Sequence, residues 1–204
     1  MYKKIDSAQN SLIKQCLVLL DKSRERRKQG IFLVEGQREI QLAIEGGYEI
    51  QTLFFCESLF LNNMSQFATA TTQIIEISLE VYQKLAYRKT TEGVLAIVKT
   101  KELSLNKLEF KSKNPLILIA EAPEKPGNIG ALLRSADAAN LDGFIIANPK
   151  TDLYNPNIIR SSVGCLFTNN IATGSTQEII DFLNQHNIQL FSAILQESKP
   201  YHSQ

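Results

Sequence analysis

The side chains best placed to do chemistry stand in one stretch, residues 121–140, which reads EAPEKPGNIGALLRSADAAN. Its polar candidates are Asn128 and Arg134. Gly127 and Gly130 allow a tight turn and close approach of a helix to the sheet. Arg134 follows Gly130 by four residues, about one helical turn, so its guanidinium reaches back over the bend. That group offers a rigid fork of donors to phosphate or hydroxyl oxygens. The pattern is not a P-loop, because no Gly-Lys pair closes it, and it is not a G-x-G-x-x-G dinucleotide turn. From spacing alone, three readings stand: an arginine that orients a ligand, a phosphate-binding turn of a nucleotide-binding α/β protein, and a structural turn whose arginine pairs with Asp137 or Glu121.

The elements around this stretch must hold it in place. Residues 116–120 (LILIA) form a continuous apolar run, the pattern of a strand buried on both faces. A helix is expected over 129–139, so the motif sits at the carboxyl end of a strand, where open α/β sheets bind ligands. Further strands are expected at 143–147, 166–171 and 189–195. Helices are expected at 156–162 and 175–186, the latter capped by Ser175 or Thr176 with Glu178 in its first turn. An earlier block carries helices over 11–20, 35–45, 58–68 and from a Ser78 cap to 86. Its strands fall at 31–34, 52–56, 73–77 and 93–98. Between the blocks, the residues are polar. The organisation expected is a domain over 1–100, a linker over 101–114 and a second domain over 115–204. Alternation of strands and helices in the second block implies a parallel sheet covered by helices.

Composition narrows the classes. The chain has 204 residues, is 44% hydrophobic and carries a net charge of +1. That excludes a disordered tail and a histone-like polycation, but not a local basic patch. Such a patch is present at Lys22, Arg24, Arg26, Arg27 and Lys28. Three widely spaced cysteines (Cys16, Cys56 and Cys165) and two histidines fit neither a disulfide framework nor a metal site. Residues 1–10 carry no apolar core, so a signal peptide is not expected there, and apolar runs reach only about seven residues against the ~20 of a membrane span. A reduced, cytoplasmic protein is expected. Cys165 reads as a small core residue, and His186 as a helix-dipole partner.

The stretch PGNIGALLRSADAAN resembles the first signature of the SpoU-type RNA ribose 2′-O-methyltransferases of the SPOUT superfamily, N-x-G-A-x-x-R-[ST]-A-[DE]-A. Asn128, Gly130, Ala131, Arg134, Ser135, Ala136, Asp137 and Ala138 match it. Asn140 stands where the family has Gly, at a helix end where Asn also tolerates the left-handed conformation. Residues 156–167 (PNIIRSSVGCLF) resemble the family's next segment, with Arg160, Ser161, Ser162 and Gly164 in order. Residues 26–36 (RRKQGIFLVEG) resemble the K-x-R…F-x-V-E-G signature of the substrate-binding domain that precedes the catalytic one.

The resemblance implies a small ribosomal-protein-like α/β sandwich followed by a parallel-sheet α/β knot domain. It implies methyl transfer from S-adenosylmethionine to a ribose 2′-hydroxyl of RNA, with rRNA favoured over tRNA, by a homodimer. Arg134 would be base or positioner, and Asn128 would shape its pocket. A free guanidinium is a weak base. Arg24, Arg26, Arg27, Lys28, Arg160 and Ser162 would contact RNA. Glu35 would bond the start of its helix or organise nearby arginines. Two further family signatures, a G-[NTS]-E-x-x-G loop and a Ser-Leu-Asn segment, do not occur in the sequence. They build the knot, most of the cofactor pocket and much of the dimer interface. The expectation is therefore a domain that stops before its knot, with cofactor residues beyond Gln204 and no activity without them. The alternative is a non-catalytic RNA-binding module.

Overall fold

The computed structural model describes residues 2–62, 64–69, 71–87 and 92–194. The first block holds β1 (Lys3–Ile5), α1 (Ser11–Asp21), α2 (Ser23–Gln29), β2 (Ile31–Glu35), α3 (Gln37–Glu45), β3 (Ile50–Phe55), β4 (Gln73–Ile77), α4 (Leu79–Leu85) and β5 (Val94–Lys99). Its five strands are ordered β1-β4-β3-β5-β2. β4 runs parallel to β1 and β3, while β5 is antiparallel to β3 and β2. The second block holds β6 (Ile117–Glu121), α5 (Pro126–Ala138), β7 (Gly143–Ala147), α6 (Pro156–Ser162), α7 (Cys165–Thr168), β8 (Ile171–Gly174) and α8 (Thr176–Gln185). Its strands form a parallel sheet in the order β6-β7-β8.

Side chains alternate across each strand and so feed two cores. In the first sheet, Leu33, Phe54, Ile75 and Ile97 face α1 and α4. Phe32, Val34, Leu53 and Val98 face the other way, into a cluster that continues through Ile129, Leu133 and Ile158 to Phe144 and Ile146 of the second sheet. The two sheets therefore share a middle layer of helices. Phe32 stacks on Tyr154 at 4.3 Å between ring centres, across the junction of the blocks. The far face of the second sheet packs Ile145 and Ala147 on α8. The segment expected as a linker is laid on that face: Leu105, Leu108 and Phe110 pack there, and the carbonyl of Leu103 accepts from Thr173 N at 2.7 Å.

The Ser175 cap is observed as a full capping box with Glu178, and Asn140 adopts φ 49°, as its place at the helix end required. Other expectations are corrected. The described residues of 58–68 form no α-helix, only a 3₁₀ turn at Met64–Phe67. Asn62 donates its side-chain amide to Gln37 Oε1 at 2.5 Å, which ties this segment to α3. The strand expected over 166–171 is helix over Cys165–Thr168, because Gly164 enters the left-handed region (φ 86°) and restarts one there, and the strand begins only at Ile171. No strand forms over 189–194: Ile188 N closes α8 on Leu183 O, and the backbone that follows joins no ladder. Leu195, the last residue of that expected strand, lies outside the described residues. β1 went unread, since three residues give too little alternation to detect.

Candidate active site

α5 begins with Pro126 in its first turn, where a missing N–H leaves no hydrogen bond unmade. Gly127 faces open space. Gly130 does not: a Cβ there would stand 2.7 Å from the carbonyl carbon of Ser161. The glycine lets α5 lie directly on α6, so the close approach expected toward the sheet is made to a helix.

That approach sets the arginine. Arg134 is exposed, and its Nη1 donates to the carbonyl oxygen of Ser161. The last carbonyls of a helix lack intrahelical donors and carry partial negative charge, so they favour a cation. α6 ends just beyond, where Val163 turns left-handed at φ 53°. The Ser161 hydroxyl is fixed by donation to Asn157 O at 2.6 Å. The structural reading, in which Arg134 pairs with Asp137 or Glu121, is not what forms. Asp137 accepts from the Thr168 hydroxyl at 2.7 Å, and Glu121 accepts from Asn148 at 2.8 Å and Thr176 at 3.1 Å. Asn128 is exposed in the first turn of α5, and its amide side chain bonds no described residue, so it does not brace the loop.

Cys165 adjoins this group. Burial, with Asp137 beside it, pushes its thiol up, so it is a protonated packing group rather than a nucleophile. Arg38 and Arg134 act on it in the opposite sense. Arg38 of α3, from the other block, thus acts on the same thiol as Arg134. Sequence reasoning missed it, because a single arginine in a helical stretch carries no local signal.

Two expected RNA contacts are corrected. Arg26 is only 2% exposed. Its Nε pairs with Asp152 at 2.5 Å, and its Nη1 donates to Leu19 O at 2.6 Å. This ties α2 to the loop that leads into α6. Ser162 is fully buried and donates to Ile159 O at 2.9 Å. Arg24, Arg27, Lys28 and Arg160 are exposed. Arg160 lies over the ring of Tyr87 at 5.0 Å. Glu35 accepts from the backbone N–H of Tyr87 at 2.7 Å rather than from its own helix. Among the described residues, no group of three or more His, Cys, Asp or Glu is placed to hold a metal.

The parallel sheet carries an exposed arginine at the carboxyl end of its strands and is joined to a block with a basic helix, the arrangement of an α/β protein with a candidate ligand site at a strand–helix turn. Residues 115–204 match the SpoU rRNA Methylase family, and residues 10–96 match an MRM3-like substrate binding domain. A crystal structure of an RNA 2′-O ribose methyltransferase is 36% identical with a TM-score of 0.75, covering 90% of this chain and 70% of that one. The SpoU methyltransferase AviRb from Streptomyces viridochromogenes, in complex with the cofactor AdoMet, is 29% identical with a TM-score of 0.77, covering 88% of this chain and 69% of that one. A 23S rRNA (uridine(2479)-2′-O)-methyltransferase of the same organism is 31% identical over 165 residues, 79% of this chain and 57% of that protein. The chain belongs to the SpoU rRNA methylase family.

Proposed function

We propose that the protein transfers a methyl group from S-adenosylmethionine to a ribose 2′-hydroxyl of ribosomal RNA in the cytoplasm. The observation that carries this reading is Arg134, exposed at the strand–helix turn and braced by the Ser161 carbonyl. A ribose hydroxyl is a poor nucleophile, and in-line attack needs its oxygen held in one orientation. Water-exposed and donating to a helix-end carbonyl, the Arg134 guanidinium offers its remaining donors to orient the hydroxyl and grip the adjacent phosphate. Asn128, exposed in the first turn of the same helix, is the second polar group on offer there. Support for rRNA as substrate comes from the name of the Streptomyces relative, although this chain spans 57% of its length.

S-adenosylmethionine would supply an activated methyl group. The described residues do not by themselves fit it. At the carboxyl ends of the strands, the Glu121 carboxylate is already engaged by Asn148 and Thr176, and no residue is assigned to the cofactor. Exposed Arg24, Arg27, Lys28 and Arg160 serve as phosphate contacts, which position RNA without reading its sequence. We also place the protein in a homodimer. Leu116, Leu190, Phe191 and Ile194 are exposed around one cleft and offer apolar area for association.

The test is Arg134→Ala in the protein as expressed from its gene. Methyl transfer from labelled S-adenosylmethionine to rRNA should fall at least about a hundredfold, the scale of losing a positioning group, with an unchanged melting temperature. Activity within a few-fold of wild type would overturn the role.

A further inference from the structure

α3 of the first block lies directly on the turn that joins α6 to α7. A Cβ on Gly164 would run into Leu42 Cδ1, and one on Gly46 into the carbonyl oxygen of Phe167. Arg38, Leu42 and Gly46 stand four residues apart and so share one side of α3. From Gly46 to Leu42 that side runs back from Phe167 to Gly164. Arg38 stands one turn further in the same direction, toward the end of α6, where the Ser161 carbonyl accepts from Arg134. The Cys165 thiol registers both groups: the guanidinia of Arg38 and Arg134 each favour its charged form. A charge acts on such a partly exposed site only from within a Debye length, about 10 Å.

The charges of this group do not cancel. Arg38 is exposed and makes no hydrogen bond or ion pair with a described residue. Arg134 spends one donor on Ser161 and pairs with no described carboxylate. Asp137 is the carboxylate that acts on the same thiol, and it accepts from the Thr168 hydroxyl at 2.7 Å rather than from either arginine. Two cations against one anion leave a net positive charge, and like charges carried in from separate elements repel unless an anion joins them. A guanidinium presents a planar fork of donors that fits phosphate oxygens. On the proposed RNA substrate, we infer that Arg38 is a further substrate-positioning residue: with Arg134 it grips the phosphate backbone of the acceptor strand, one guanidinium from each block. Arg134 acts at the reacting nucleotide. Arg38 holds the strand that carries it, a contact equally strong before and during methyl transfer, so its loss weakens binding and spares the chemical step.

The test uses the protein as expressed from its gene, unmodified 23S rRNA transcribed in vitro, and labelled S-adenosylmethionine. Arg38→Gln should raise KM for the rRNA about tenfold, the scale of losing a charge-assisted hydrogen bond, with kcat and KM for S-adenosylmethionine within about twofold of wild type. The slope of log affinity against log salt should flatten by about one, for one phosphate no longer neutralised. Arg38→Lys keeps the charge but not the fork, and should restore the slope in full and KM in part. Both variants should melt with wild type, since Arg38 is exposed. A wild-type KM and slope for Arg38→Gln would overturn this contact and leave the RNA reading intact. So would a loss that comes with a lowered melting temperature and that Arg38→Lys does not rescue. Wild-type protein that neither binds nor methylates the rRNA would overturn both.

Discussion

At the scale of single residues, what decides the site is the gap left by a missing side chain. Gly130 places α5 on α6 and thereby brings Arg134 to the Ser161 carbonyl. Gly130→Ala should gain up to about 1 kcal/mol of helix propensity, yet lose about 1–3 kcal/mol to overpacking. The expected outcome is a net loss of stability by denaturant unfolding, together with impaired methyl transfer, because α6 must move and carry the carbonyl away from Arg134. A stabilised, fully active variant would contradict this account of the helix packing. Arg134 and the flanking motif were legible in the sequence. Its actual partner was not, since Ser161 lies 27 positions further on and is joined to it only by helix packing.

At the scale of elements, α2 shows why a charge run cannot be read as a single surface. Four of its seven residues are basic, and the helix ends at Gly30 in the left-handed conformation. The helical period turns Arg26 inward, while Arg24, Arg27 and Lys28 stay in solvent. Reversing the charge of Arg27 and Lys28 together should weaken RNA binding and flatten the slope of log affinity against log salt by about 1–2, roughly one for each phosphate that the protein no longer neutralises. Folding should be preserved. Salt titrations that superimpose on wild type would remove α2 from the RNA surface. The basic composition was visible in the sequence, whereas the inward residue depended on which side of the helix the second block covers.

At the scale of the whole molecule, the two blocks are bound by one apolar cluster and one buried ion pair. Phe32, Tyr48, Tyr154 and Phe167 stack or meet edge to face across the junction. Arg26 and Asp152, 2% and 6% exposed, close it. Replacing Arg26 with Met leaves the Asp152 charge buried without its cation, a change that costs about 3–5 kcal/mol. Both blocks should lose stability together, in a single cooperative transition by calorimetry. A loss confined to one of two separate transitions would show that the junction is not shared core.

Much was set locally. The buried run over 116–120, the capping box at Ser175 and Glu178, the left-handed turn at Asn140 and the arginine motif follow from neighbouring residues alone, because propensity, caps and period act within a few positions. The fate of Arg26 and Ser162 and the partner of Arg134 followed from packing. Burial and hydrogen-bond partners are properties of surfaces that meet across long stretches of chain, so only the folded arrangement of the two sheets around their common helical layer decided them.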